Sequence, residues 1–124
     1  MFTHVLVGTN DLTAAKKFYD SALCALGLPK SADVRGRLYY PSPHGAFIVG
    51  APRDGEATYA NGGTIGFKAE TQAAVDEFHA GGLANGGVCE GPPGPREFDG
   101  VKLYGAYLRD PDGNKICAFY SPPN

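Results

Sequence analysis

The chain has 124 residues, one domain by length, with 11 lysine and arginine residues against 13 aspartate and glutamate residues and a formal net charge of −2. This near balance, without a run of basic residues, excludes the charge pattern typical of proteins that bind nucleic acid or anionic membranes. No apolar stretch is long enough to span a bilayer, and the three cysteines, Cys24, Cys89 and Cys117, are an odd number at unrelated spacings, which favours a reducing, cytoplasmic location over a disulfide framework.

The first half of the chain predicts a strand, a helix and then further strands. Alternating apolar residues favour strands at 2–7, 37–40 and 46–51, and because the first begins directly after Met1, we expect no signal peptide. An amphipathic pattern predicts a helix from about Leu12 to Leu26, with Asn10 or Asp11 as its N-cap and Gly27-Leu28-Pro29 as its end. A fainter strand near 33–37 follows that helix.

The second half predicts the same order of elements. Strands are favoured at 64–69, 103–108 and 115–120, and a helix at 72–84 with Thr71 as its N-cap. A faint strand near 88–90 falls within the segment 86–101, which is so rich in glycine and proline that we expect a long loop there.

Laying one half over the other shows an internal repeat. His4-Val5-Leu6-Val7 matches Thr64-Ile65-Gly66-Phe67, and the turn Ser42-Pro43-His44-Gly45 matches Asp110-Pro111-Asp112-Gly113. The sequence therefore predicts an α+β fold for a single domain over 1–124, built from two βαβββ modules at about 1–55 and 61–122. We expect the modules to pair into one cupped mixed sheet with the helices outside.

Strand alternation assigns side chains to the two faces of this sheet. The residues expected to pack on the helices are Val5, Val7, Ile48, Ile65, Phe67, Ile116 and Ala118. Those expected to line the concave face are His4, Leu6, Val49, Thr64, Gly66, Cys117 and Phe119. Pairing across the two turns places Tyr107 opposite Cys117 and Tyr39 opposite Val49.

Four stretches carry a resemblance to a known family: FTHVLVGTNDLTAAKKFYDSALCALGL, GGTIGFKAETQAAVDEFHAGGLANGG, GPPGPREF and YGAYLRDPDGNKICAFY. Together they cover nearly the whole chain, and the sequence resembles the glyoxalase/bleomycin resistance protein/extradiol dioxygenase superfamily, also called vicinal oxygen chelate proteins. The resemblance implies paired βαβββ modules, a cupped sheet, frequently a homodimer and frequently a divalent metal ion in the cup.

The resemblance also maps four metal positions onto this chain, one on the first and one on the last strand of each module: His4, Val49, Thr64 and Cys117. The family's enzymes mostly carry histidine, glutamate or glutamine there, and only His4 matches. Valine offers no donor, threonine is a poor ligand, and His4 with Cys117 supplies two ligands where catalytic zinc takes three. We therefore expect no cofactor, with a divalent metal at His4 as the less favoured reading.

Each candidate residue also has a plain structural reading. His4 is either a metal ligand or a hydrogen-bonded strand residue, and Cys117 either a reactive thiol or a small apolar filler. His44 is expected to be exposed in its turn, and His79 to pack or be solvated on its helix. The side chains predicted to contact a ligand are His4, Tyr39, Thr64, Arg96, Tyr104, Tyr107, Cys117 and Phe119.

Three functions remain open from the sequence. The favoured one is a small-molecule-binding protein with a degraded metal site, whose ligand lies in the concave cup. The alternative is a metal-dependent glyoxalase-like lyase or dioxygenase acting on a substrate with vicinal oxygens, which requires Glu97, Asp99 or His44 to complete the ligand set. The third is a dimeric interaction module with a vestigial cup. Whether the protein is an enzyme, and which residue would be catalytic, stay undetermined, because fold resemblance alone does not fix function.

Overall fold

The first half of the chain forms a four-stranded mixed sheet with one helix. In the computed structural model, which describes residues 1–123, its elements are β1 (His4–Gly8), α1 (Leu12–Cys24), β2 (Ala32–Val34), β3 (Arg37–Ser42) and β4 (Gly45–Gly50). The strand order is β1-β4-β3-β2, with β1 and β4 parallel and the other neighbours antiparallel.

The second half repeats this arrangement. Its elements are β5 (Ile65–Lys68), α2 (Gln72–Ala84), β6 (Val88–Phe98), β7 (Val101–Arg109) and β8 (Lys115–Tyr120), in the sheet order β5-β8-β7-β6. The α+β fold of two βαβββ modules is thus confirmed. The larger paired sheet is not: among residues 1–123, β1 and β5 form no ladder with each other, so each module keeps its own hydrogen-bonded sheet.

Both helices begin at the caps that the sequence indicates. The Asp11 side chain accepts from the Ala14 backbone N–H at 3.0 Å, and the Thr71 hydroxyl accepts from the Ala74 N–H at 3.0 Å. These bonds satisfy backbone donors that the first turn of a helix leaves free. Within residues 1–123, neither helix combines the length and apolar character that crossing a membrane requires.

The two modules share one core through their helices. Buried side chains of α1, such as Phe18 and Tyr19, join Phe78 of α2 and strand residues of both sheets in a single apolar cluster. Helix α1 packs directly against α2, where a side chain at Gly81 would collide with Ser21 and one at Gly82 would crowd Phe18. The glycines that weaken the last turn of α2 therefore allow the helices to approach closely.

A buried polar cluster also joins the modules at the turn before β8. The Asp110 carboxylate accepts from the Tyr19 hydroxyl of α1 at 2.5 Å and from the backbone N–H groups of Asp112 and Asn114, both at 2.9 Å. The Asn114 side chain donates to Asp110 at 2.8 Å and to the carbonyl oxygen of Gly8, at the end of β1, at 3.2 Å. The motif DPDGN thus serves as an inter-module contact as well as a turn.

The structure corrects the predicted faces of β4. Val49 is fully buried in the core and pairs with Val7, whereas Ile48 pairs with Leu6 and Tyr39 and faces away from the helices. The prediction that Val49 lines the concave face, that Ile48 packs on the helices and that Tyr39 lies opposite Val49 is wrong. Two residues separate the paired Ser42 and Gly45, but five separate Arg109 and Lys115, and this odd difference in turn length reverses strand parity.

The segment 86–101 is also not the long loop expected from its composition. Most of it is the edge strand β6, which within the described part of the chain, residues 1–123, pairs only with β7 and carries register shifts between Cys89 and Gly91 and between Gly91 and Gly94. Proline is tolerated here because an edge strand leaves one row of backbone groups unpaired and bulges remove further pairings.

Candidate functional site

Each sheet has one face turned away from the helices, which we call its open face. Strand register places His4, Leu6, Arg37, Tyr39, Ala46 and Ile48 on the open face of the first sheet. It places Gly66, Arg96, Leu103, Gly105, Tyr107, Lys115, Cys117 and Phe119 on the open face of the second. These two surfaces hold nearly all the ligand contacts predicted from the sequence.

Aromatic rings cover the open face of the second sheet. The Phe119 ring lies edge-on to Tyr107, with centroids 5.6 Å apart, and edge-on to Phe98, with centroids 6.0 Å apart. Phe119 pairs with Gly105, where an added Cβ would collide with its ring, so this glycine leaves the space that the ring occupies. The result is a rigid apolar surface beside a shallow depression of about 590 Å³ lined in part by Gly66, Leu103 and Phe119.

Two cations flank these rings. Arg96 and Tyr107 lie side by side over Gly91, since a Cβ at Gly91 would be 3.3 Å from Arg96 Nη2 and 3.2 Å from Tyr107 Cδ2. The half-buried Arg96 guanidinium donates to the carbonyl oxygens of Pro92 at 2.7 Å and Pro95 at 3.3 Å, which fixes its position. Lys115 Nζ lies 5.1 Å from the centroid of the Tyr107 ring, a cation–π distance.

Cys117 lies at the centre of this face. It pairs with Tyr107, as predicted, and is only 4% exposed. Burial raises the pKa of its thiol to about 11, although nearby Lys115 opposes the rise. The thiol is therefore protonated and apolar at neutral pH, which suits the filler reading better than a reactive or ligating one.

The open face of the first sheet is simpler. Tyr39, Leu6 and Ile48 border a depression of about 320 Å³ with His4 and Arg37 at its rim. The exposed His4 ring has its Nδ1 2.8 Å from the Thr3 hydroxyl. This is the hydrogen-bonded strand residue that the plain reading describes.

Two predicted ligand contacts, Tyr104 and Thr64, and the mapped metal position Val49 lie elsewhere or at the margin. Tyr104 faces the helix side, where its hydroxyl donates to Asp76 of α2 at 2.6 Å, so its assignment to the cup does not fit its position. Thr64 is exposed and precedes β5 instead of lying within it. Val49 is buried in the core.

The residues at the mapped metal positions do not fit a divalent ion. With the register corrected, the structural counterpart of Cys117 is Ile48, since Ile48 pairs with Leu6 as Cys117 pairs with Gly66. His4, Ile48, Thr64 and a protonated thiol offer one good donor, whereas zinc sites use three or four and harder ions use oxygen ligands. Over residues 1–123, no three histidine, cysteine, aspartate or glutamate side chains cluster in a metal-holding arrangement, so Glu97, Asp99 and His44 do not complete a set.

The sequence reasoning missed several residues of the second open face. Phe98 lies in the segment whose composition predicts a loop, and the predicted faces end at Tyr107 on β7 and at Ile116 on β8, short of Gly105 and Lys115. Extending the alternation from Tyr107 and Cys117 along their strands would have found both.

Comparison with known proteins agrees with this architecture. The model of the Glyoxalase/Bleomycin resistance protein/Dioxygenase superfamily matches residues 1–118. The chain belongs to this superfamily. No curated protein matches the sequence.

Solved structures of similar proteins cover almost the whole chain. A glyoxalase/bleomycin resistance protein from Albidiferax ferrireducens T118 is 52% identical, with a TM-score of 0.93 over 97% of this chain and 98% of that one. A glyoxalase-related enzyme from Fulvimarina pelagi is 15% identical, with a TM-score of 0.77 over 98% and 88%. A lactoylglutathione lyase from Agrobacterium tumefaciens is 20% identical, with a TM-score of 0.64 over 97% and 92%. The last two likenesses show the superfamily fold alone.

Proposed function

We propose that this superfamily member is a small-molecule-binding protein with a degraded metal site, which holds a planar aromatic ligand carrying an acidic group against the open face of the second sheet. One observation carries the proposal: the Tyr107 ring, which contacts Phe119 edge-on, lies beside the fixed guanidinium of Arg96, in a module whose mapped metal positions offer no good ligand.

The aromatic part of the proposal rests on rigid rings. Phe119 contacts both Tyr107 and Phe98 edge-on, so these rings present a preorganised π surface to an incoming ring. Edge-on and offset-stacked ring pairs add about 0.5–1.5 kcal/mol beyond their buried area. A planar aromatic ligand therefore gains more binding free energy on this face than a flexible aliphatic ligand of the same size.

The acidic part rests on the charge of the face. Arg96 has five N–H donors and directs two of its bonds at carbonyl oxygens, which leaves donors for a ligand oxygen. Arg96 and Lys115 both lie on this face, although the chain as a whole carries a net charge of −2. A carboxylate or phosphate would pair with Arg96 through charge-assisted hydrogen bonds.

A homodimer is part of this proposal. Because α1 and α2 pack on each other and fill a common core, the open faces are left uncovered in one chain, and Leu6 on the first face is 46% exposed. A second copy that sets its first open face against this chain's second would enclose the ligand. The three free thiols are consistent with the cytoplasmic location that we propose.

The test is isothermal titration with three naphthalene derivatives of one shape: the carboxylate, the amide and the amine. We expect the carboxylate to bind most tightly. Arg96→Gln should weaken the carboxylate at least about tenfold, about 1.4 kcal/mol, and change the amide little. Arg53→Gln, in the exposed linker, is the charge control, and Tyr107→Leu is compared with Tyr104→Leu on the opposite face of the same strand.

Three results would count against the proposal. The first is equal affinity of the three compounds, or equal effects of the Tyr107 and Tyr104 variants. The second is stoichiometric metal in the purified protein that a His4→Ala variant loses, which would favour the metal-dependent lyase or dioxygenase instead. The third is that none of the compounds binds while the protein forms a stable dimer, which would point to the interaction module.

A further inference from the structure

A cysteine and a histidine meet on the helix side of the second sheet, away from both open faces. Cys89 lies on β6 and pairs with Leu108, which belongs to the helix-facing core, so the two side chains share that side of the sheet. His79 lies on α2, which packs over this part of β6. Its Nε2 is 3.1 Å from the Cys89 sulfur, within hydrogen-bonding reach.

The histidine is held in place while the thiol is accessible. His79 is only 8% exposed, and Cys89 is solvent-exposed. Burial lowers the pKa of His79, and the charge of Asp76, one helical turn earlier, partly opposes that shift. Asp76 is itself held by the Tyr104 hydroxyl at 2.6 Å. A neutral imidazole can take a proton from a thiol, and a thiol beside a positioned base is the usual arrangement of an activated nucleophile.

The other two cysteines make the pair specific. Cys24 is also exposed, but among residues 1–123 it has no imidazole within hydrogen-bonding distance. Cys117 is buried on the other face of the sheet. If exposure alone set the reaction rate, Cys24 and Cys89 would react at similar rates. A difference between their rates therefore measures the contribution of the histidine.

We propose that Cys89 is a thiol modification site at which His79 acts as general base for exchange with a small, solvent-borne disulfide. The Cys89 S–H proton passes to His79 Nε2 as the Cys89 sulfur bonds to one sulfur of the disulfide. The disulfide's own S–S bond breaks, and the leaving thiolate receives the proton. Cys89 is thereby oxidised to a mixed disulfide while one reagent sulfur is reduced to a free thiol.

The experiment measures adduct formation at each cysteine separately. The native protein is treated with limiting 5,5′-dithiobis(2-nitrobenzoate) or oxidised glutathione, quenched with acid and mapped by peptide mass spectrometry. We expect Cys89 to react about tenfold or more faster than Cys24, with Cys117 unreacted. His79→Gln should remove this preference and leave the Cys24 rate unchanged, whereas His44→Gln, in an exposed turn, should change neither rate.

Cys117 reports on folding in the same samples. If it stays unreacted in His79→Gln and the Cys89 rate is unchanged, the proposal is overturned. If Cys117 reacts, the variant has unfolded, and the wild-type protein is used for the test instead. A Cys89 to Cys24 rate ratio that is high in the native protein and falls to about one in guanidinium chloride supports the proposal. A ratio near one in the native protein overturns it.

Discussion

Replacing Tyr19 by phenylalanine tests whether the buried polar cluster holds the two modules together. The Tyr19 hydroxyl is fully buried and donates to Asp110 at 2.5 Å. Burial, together with the neighbouring Asp110 charge, raises the pKa of Tyr19 well above its usual value, so the group remains a donor at any pH the fold tolerates. Phenylalanine keeps the ring packing and removes this single bond.

The expected loss of stability depends on which hydrogen bonds to Asp110 remain in the Tyr19→Phe variant. The same Asp110 oxygen would still accept from the Asn114 side chain at 2.8 Å, so this buried acceptor keeps a partner. A hydrogen bond to a charged group contributes about 1.5–3 kcal/mol, and we expect a loss of about 2 kcal/mol in the free energy of unfolding. For a domain of this size that is a fall of roughly 8 °C in Tm.

The control is a tyrosine–aspartate bond of the same chemistry on the surface. Tyr104 donates to Asp76 at 2.6 Å in an exposed setting, and Tyr104→Phe should cost less than about 0.5 kcal/mol because water replaces the bond. Both variants are unfolded in urea, and their free energies of unfolding are compared with the same slope against urea concentration. Equal losses for the two variants would refute the argument that the inter-module bond owes its strength to burial.

Two further stability predictions follow from particular contacts. Burial opposes ionisation of Asp20, but hydrogen bonds from Lys16, Ser31 and Tyr40 outweigh it and lower its pKa from 3.8 to about 2. The ionised form is thus favoured by folding. About 1 kcal/mol of stability, after allowance for solvent screening, should be present above about pH 4 and lost as the pH falls towards about 2; an Asp20→Asn variant with the same acid dependence in urea titrations would contradict this. Gly105→Ala would force the Phe119 ring to move, and we expect a loss of about 1–3 kcal/mol in urea unfolding together with weaker binding of the naphthalene carboxylate. An unchanged affinity would argue that the ring does not contact the ligand.

How far the sequence predicts this fold depends on which interactions decide each element. Helix α2 was predicted with its observed bounds because Thr71, the apolar spacing and Asn85-Gly86 are all local signals. The faces of β4 were predicted wrongly, because the side on which each residue of a strand lies depends on the number of residues in the preceding turn. Both turns contain proline, and aligning them on this residue conceals their different lengths. Strand β6 was missed because its prolines are acceptable only at a sheet edge, which is a property of the tertiary fold.

In the candidate site, too, some residues are predicted from local sequence signals and others depend on the tertiary fold. Tyr107 was placed correctly through its pairing with Cys117, whereas Tyr104, an odd number of residues away, falls on the other face. The contact between His79 and Cys89 joins a helix to the strand that follows it and has no signature in the sequence. Strand alternation finds residues that share a face, but contacts between a helix and a sheet depend on packing.

The outer edges of β1 and β5 have a consequence for amide hydrogen exchange. Among residues 1–123, each of these strands pairs with one neighbour only, so every second amide along it points away from its own sheet. In an isolated chain these amides would exchange with deuterium quickly, while their alternate neighbours exchange at the rate of the sheet. A second chain bound along either edge would slow the exchange of the outward-pointing amides. The exchange pattern of nine residues, five in β1 and four in β5, therefore detects association of two chains without any ligand being known.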